Sequence, residues 1–83
     1  MSEGIIIGGV YRHFKGPEKI YRVLRVAHDC DDPKKEVVVY EQLYETKEFP
    51  RGTTWTRPLE DFLGEKFVEG KGLVKRFDRI KEE

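Results

Sequence analysis

The chain has 83 residues, enough for one small domain, and its 16 basic and 16 acidic side chains give a formal net charge of zero. Charged residues make up 39% of the chain and hydrophobic residues 37%. This composition excludes a disordered chain, which needs low hydrophobicity and a large net charge, and a basic protein that binds nucleic acid by bulk charge. We expect one domain over 1–83, with its core at about 9–77 and flexible termini.

The compartment is indicated by what the sequence lacks. Its single cysteine, Cys30, cannot form an internal disulfide, whereas secreted domains of this size usually contain several. The longest aliphatic runs span three residues, and the first residues do not resemble a signal peptide. We expect a cytoplasmic protein with no membrane partner. Scarce Asn, Gln, Met and Cys are typical of heat-adapted proteins, with chance in a short chain as the alternative.

Residue alternation predicts two strands in the first third of the chain, over 10–14 and 20–28. Gly16-Pro17 separates them as a turn. The alternation of the second strand slips near Val23-Leu24, which predicts a bend or a bulge. A polar loop over 29–34 follows.

The middle of the chain contains the clearest strand, over 36–44, in which β-branched and aromatic residues dominate. A second polar loop leads to a fourth strand over 53–57, which Pro58 ends. Pro58 also suits the first position of a short helical turn. Leu59, Phe62 and Leu63 would form the apolar stripe of that turn.

The last part of the chain predicts a hairpin and a frayed end. Phe67-Val68 and Leu73-Val74 flank a glycine-containing turn, and 80–83 lacks a clear pattern. Four or five strands, one helical turn and few core residues predict a mainly β domain folded as a small, strongly bent barrel. Closing the sheet would remove its exposed edges.

Several residue blocks occur in an order that resembles a known family. These blocks are Tyr11 to Gly16, Tyr21 to Val23, Val38 to Tyr40 with Leu43-Tyr44, Trp55 to Pro58 with Phe62, and Gly72 to Phe77. Together they resemble the bacterial domain of unknown function 1653 family over most of the chain. The resemblance implies an SH3-like β-barrel of about five strands, and no established activity comes with it.

Aromatic residues on the third and fourth strands are the main candidates for a binding site. Trp55 and Arg57 share one face of the fourth strand, and Tyr40, Gln42 and Tyr44 share one face of the third. If these strands are neighbours, their faces merge into an aromatic surface that can stack a base or bind a peptide. The alternative is that Trp55 and the tyrosines form the core of a small barrel.

Two cationic or titratable residues on the first strand complete the candidate ligand-binding set. His13 shares a face with Tyr11, and Arg12 lies on the opposite face. His13 could bind an anionic group, or its ring could be half-buried and satisfied by the backbone. The segment from His28 to Asp32 offers ligand-type atoms, but a solvated acidic turn is favoured over a metal site.

These observations favour a non-enzymatic binding module without cofactor or metal, for a peptide, a nucleotide-like ligand or single-stranded nucleic acid. Zero net charge does not favour nucleic acid, because only local cations could attract phosphate. An accessory protein whose aromatic face packs on a partner chain is the alternative. An enzyme that uses His13 or His28 as a general base is less favoured, since no orienting acid or pocket is evident.

Overall fold

The computed structural model describes residues 5–81 and contains seven strands and one short helix. In chain order these elements are β1 (Val10–His13), β2 (Ile20–His28), β3 (Glu36–Gln42), β4 (Thr54–Pro58), α1 (Leu59–Phe62), β5 (Glu65–Val68), β6 (Gly72–Lys75) and β7 (Phe77–Lys81). The predicted mainly β fold with one helical turn is therefore confirmed. No helix within the described range has the length and apolar character needed to cross a membrane.

The main sheet contains five strands in the order β4-β3-β2-β1-β7, and every pairing in it is antiparallel. Its outer strands, β4 and β7, do not pair with each other over the part of the chain described, so the sheet is not closed into a barrel. The β2–β3 register shifts between Val23 and Arg25, which confirms the irregularity predicted near Val23-Leu24. Such an irregularity bends and twists the strand that contains it.

Strand β7 differs from the sequence prediction, which assigned residues from Ile80 onward to a frayed end. The strand runs through Lys81 and pairs along its length with β1, including His13 with Phe77. Prediction failed here because charged residues occupy most of the strand, so its alternation is weak. The long-range pairing with β1 supplies the stability that the local pattern does not indicate.

The register of the main sheet places the large side chains of neighbouring strands side by side. Tyr40 lies opposite Val23 on one side and opposite Trp55 on the other, and Val38 lies opposite Arg57. Directly opposed residues share a face of the sheet. The condition set for a merged face, that the third and fourth strands are neighbours, is therefore met.

Aromatic rings form most of the core. The buried cluster consists of Tyr11, Val23, Val38, Tyr40, Phe62 and Phe77. Phe62 and Phe77 stack at 4.1 Å between ring centroids, with an interplanar angle of 4°. The edges of Tyr11 and Tyr40 approach Phe62 at 5.2 and 5.3 Å. Edge-to-face contacts of this kind add stabilisation beyond the area that the rings bury.

Helix α1 contributes one fully buried side chain, Phe62, to the core. Pro58 precedes its first residue, and Phe62 is 1% exposed. Leu59 packs against the core, whereas Leu63 is 42% exposed, so the predicted apolar stripe is only partly buried. The short helix therefore serves mainly to place Phe62 on Phe77.

We expect Phe62→Ala to lower the free energy of unfolding by about 3–5 kcal/mol, because it removes a fully buried ring and leaves a cavity. Leu63→Ala, in the adjacent residue, removes an exposed side chain and should cost about 1 kcal/mol or less. Urea denaturation of both variants measures the difference. Equal losses would contradict the packing described for α1.

Candidate functional site

The guanidinium of Arg57 is held against the aromatic core from β4. Its Nε donates a hydrogen bond to the Tyr40 hydroxyl at 3.4 Å, and its central carbon lies 5.7 Å from the centre of the Phe77 ring. Arg57 is half-buried, and no carboxylate of residues 5–81 comes within the 4.0 Å ion-pair distance. A positioned guanidinium without a carboxylate retains donors for a ligand.

Two tyrosine hydroxyls lie on the same side of the core as Arg57. Tyr21 and Tyr44 share a hydrogen bond of 2.6 Å, and the Tyr21 ring approaches Phe77 edge-on at 5.8 Å. Burial, together with the hydrogen bond to Tyr44, raises the pKa of Tyr21, so this phenol remains protonated. Two hydroxyls that share one hydrogen bond keep a second hydrogen to donate. The ammonium of Lys19 lies 5.8 Å from the centre of the Tyr44 ring.

His13 completes this group from β1. Its ring approaches Phe77 edge-on at 4.9 Å and stacks on Phe14 at 4.7 Å. Partial burial, followed by the positive charges of Arg57, Lys15, Arg76 and Lys19, lowers the pKa of His13 to about 4. The ring is therefore neutral at pH 7. Its Nδ1 accepts a hydrogen bond from the Lys15 amide at 3.1 Å, which assigns the remaining hydrogen to Nε2.

We call this group the Arg57 site and define it as Arg57, His13, Lys19, Tyr21 and Tyr44. Arg57, His13 and Tyr21 each contact Phe77, and Tyr44 and Lys19 extend the group outward from Tyr21. Arg57, His13, Lys19 and one hydroxyl of the Tyr21–Tyr44 pair can each donate a hydrogen bond, and Arg57 and Lys19 are positively charged. Such a site matches a ligand that carries a carboxylate or a phosphate.

Trp55 lies on the predicted merged face, but its side chain makes its contacts outside the Arg57 site. Its indole nitrogen donates to the Gln42 amide oxygen at 2.9 Å, and its ring meets Phe49 at 4.9 Å. The Gln42 amide nitrogen in turn donates to the carbonyls of Tyr44 and Phe49. Trp55 and Gln42 therefore hold the loop between β3 and β4. Tyr40 is 5% exposed and belongs to the core, where only its hydroxyl contacts Arg57.

Arg12 lies away from Arg57, on the opposite face of β1. It pairs in register with Asp78 and borders a cleft of about 320 Å³ between β1 and the β5–β6 hairpin. Lys71 and Lys75 also line this cleft. His13 borders the cleft as well. Of the six predicted ligand-binding residues, Arg57, His13 and Tyr44 belong to the Arg57 site, Tyr40 to the core, Trp55 to the contacts that hold the β3–β4 loop, and Arg12 to this cleft.

The comparisons with known proteins identify the family. Residues 9–79 match the family model described as "Protein of unknown function (DUF1653)". The chain belongs to the DUF1653 family. No curated protein and no solved structure matches it significantly. The resemblance found in the sequence is thereby confirmed, and the Arg57 site lies wholly within the part of the chain that the family covers.

The sequence analysis of this DUF1653 domain did not assign three residues to the Arg57 site and its surroundings: Lys19, Tyr21 and Phe77. Tyr21 alternates with Val23 on β2, and β2 pairs with β3, so a predicted register would have placed Tyr21 beside the third strand. Phe77 lies on the strand that prediction missed. Lys19 precedes β2, where no pattern in the sequence indicates its position over Tyr44.

The acidic turn after β2 is exposed. Ligand-type atoms of Asp29, Cys30 and Asp31 lie within 4.8 Å of one another, but the Asp29 carboxylate already accepts the Asp31 amide at 2.8 Å. His28 does not join them, because its Nδ1 donates to the Pro33 carbonyl at 2.7 Å. These contacts are those of a local polar turn.

We expect acid to destabilise the wild-type domain more than the His13→Gln variant. Between the ordinary His pKa of 6.5 and the folded value of about 4, the unfolded chain binds a proton at His13 that the folded chain does not. The free energy of unfolding therefore falls as the pH drops through this window. Urea denaturation of both proteins at about pH 7, 6 and 5 measures this change in the free energy of unfolding. An equal fall with pH in the wild type and in His13→Gln would contradict the lowered pKa of His13.

Proposed function

We propose that this DUF1653 domain is a non-enzymatic binding module for a small anionic ligand of nucleotide-like chemistry. The observation that carries the proposal is the Arg57 site, in which Arg57, His13 and Tyr21 contact Phe77 and no carboxylate among residues 5–81 pairs with the guanidinium. An acceptor-rich anion such as a phosphate or carboxylate would satisfy these donors together. The half-buried rings of Tyr44 and His13 provide planar surfaces for the rest of the ligand.

A single anionic group is favoured over a nucleic-acid chain. The formal net charge is zero. The acidic residues are concentrated between Asp29 and Glu48, a segment that contains seven acidic and three basic residues. Long polyanions are attracted by extended positive surfaces, and a local cluster of donors is better suited to one phosphate or carboxylate.

The geometry of His13 supports binding rather than catalysis. A general base needs a free ring nitrogen and a pKa near the working pH. Nδ1 of His13 already accepts the Lys15 amide, and the pKa of the ring is about 4. Neutral His13 is therefore better suited to donate a hydrogen bond from Nε2 than to remove a proton from a substrate.

The proposal predicts that AMP binds more tightly than adenosine, because only AMP carries the phosphate. Arg57→Gln should weaken AMP binding by about 10- to 100-fold, since it removes charge-assisted hydrogen bonds. Arg25→Gln is the matched control, because it removes the same charge from an exposed position on β2. Amide and side-chain NMR shifts during titration measure the affinities and locate the site.

Binding that is equal for AMP and adenosine would contradict the anionic ligand. Equal weakening by Arg57→Gln and Arg25→Gln would indicate nonspecific attraction to positive charge and would contradict the site. Inorganic phosphate is the third probe. It should compete with AMP at the same signals, but more weakly, because it has no planar group.

A further inference from the structure

The β5–β6 hairpin forms a sheet of its own, separate from the main sheet. Its turn contains Gly70 at a φ of 88°, a left-handed conformation that glycine adopts without strain. Phe67 and Leu73 lie directly opposite each other on the two strands and are 67% and 66% exposed. Large apolar side chains paired at this exposure indicate an interaction surface.

Two oppositely charged residues complete the face that carries this apolar pair. Glu65 lies two residues before Phe67, and Lys75 lies two residues after Leu73. The two charged residues are opposite each other in the register, and both are exposed. The other face of the hairpin carries Val68 and Val74, which are half-buried and border the β1 cleft. The long side chain of Lys75 also reaches the rim of this cleft. We call the first surface the hairpin face and define it as Glu65, Phe67, Leu73 and Lys75.

We propose that the hairpin face binds the hairpin face of a second copy of this chain. A two-fold axis parallel to the strands, passing between the two hairpins, would place β5 of one copy over β6 of the other. Phe67 would then pack on Leu73 of the second copy. Glu65 would meet Lys75 of the second copy, so all four positions of the face find a complementary partner.

Charge favours a second copy as the occupant of this face. The face is self-complementary in charge, because its acidic and basic positions exchange places under the two-fold axis. The formal net charge of the chain is zero, so no overall repulsion keeps two copies apart. Two large apolar side chains per copy bury less than the roughly 800 Å² per partner of a standard interface, so the dimer is weak.

This inference is independent of the Arg57 site. None of the four residues of the hairpin face contributes a donor to that site. The oligomeric state therefore tests the hairpin face alone, and the affinity for AMP tests the Arg57 site alone.

Charge-reversal variants test the arrangement directly. Glu65→Lys leaves two basic residues on the hairpin face, and Lys75→Glu leaves two acidic ones. Each variant alone should remain monomeric, because like charges would meet across the axis. An equimolar mixture should form a heterodimer, since every Lys then meets a Glu of the other chain. Sedimentation velocity up to about 1 mM protein measures the masses.

Apolar variants provide the second comparison. Phe67→Ser should weaken dimerisation by about 10-fold or more, because Leu73 of the second copy loses the apolar ring on which it packs. Ile7→Ser is the matched control, since Ile7 is 56% exposed and lies outside the hairpin. It should leave dimerisation unchanged. NMR contacts between β5 and β6 verify that each variant keeps its hairpin. If a charge-reversal variant loses these contacts, the comparison of Phe67→Ser with Ile7→Ser tests the proposal instead.

A wild-type chain that is monomeric at every concentration would overturn the proposal. Dimerisation that survives Phe67→Ser would place the interface elsewhere and would also overturn it. A mixture of intact charge-reversal variants that is no heavier than its components would contradict the two-fold arrangement. Restoration of the dimer by mixing is decisive, because each variant chain still carries two like charges at positions 65 and 75. Only contacts between the two chains can then join opposite charges.

Discussion

The stacked pair of Phe62 and Phe77 is the contact on which both the core and the candidate site depend. Phe62 comes from the short helix that follows β4, and Phe77 from the strand that pairs with β1, so the pair joins two distant parts of the chain. Its buried side contacts Tyr11 and Tyr40. Phe77 also contacts Arg57 and His13, so the packing of the core determines the geometry of the donors.

The local features of the fold were predictable from the sequence, whereas the pairing of its outer strands was not. The bounds of β2, its irregularity and the hairpin follow from alternation and turn residues, which depend on neighbours along the chain. Strand β7 depends on pairing with β1, more than sixty residues earlier in the chain, and its charged residues conceal it. The barrel predicted from strand number requires a pairing of β4 with β7 that is not present in residues 5–81.

The candidate site was predictable to the extent that it depends on neighbouring strands. Tyr40 and Arg57 were placed near each other because alternation assigns a face to each residue of β3 and β4. Tyr44, predicted on the same strand as Tyr40, lies two residues beyond the end of β3. His13 joins them through Phe77, which the sequence pattern did not indicate. Arg12 and Trp55 do not join the donor group, because Arg12 lies on the opposite face of β1 and Trp55 contacts Gln42 and Phe49.

We thus propose two different tasks for two surfaces of a domain whose net charge is zero. Hydrogen-bond donors grouped around Phe77 form one surface, and the other carries apolar residues flanked by one acidic and one basic residue. The overall charge balance conceals both, since each depends on the local arrangement of side chains. On this proposal, a chain of zero net charge carries both a site for an anion and a surface that recognises its own copy.

The most direct test of the central claim is a crystal structure of the domain with bound AMP. The account predicts phosphate oxygens within hydrogen-bond distance of the Arg57 guanidinium and of a hydroxyl of the Tyr21–Tyr44 pair, with His13 donating from Nε2. A phosphate bound instead at Arg12 in the β1 cleft, with Arg57 contacting only Tyr40 and Phe77, would contradict it.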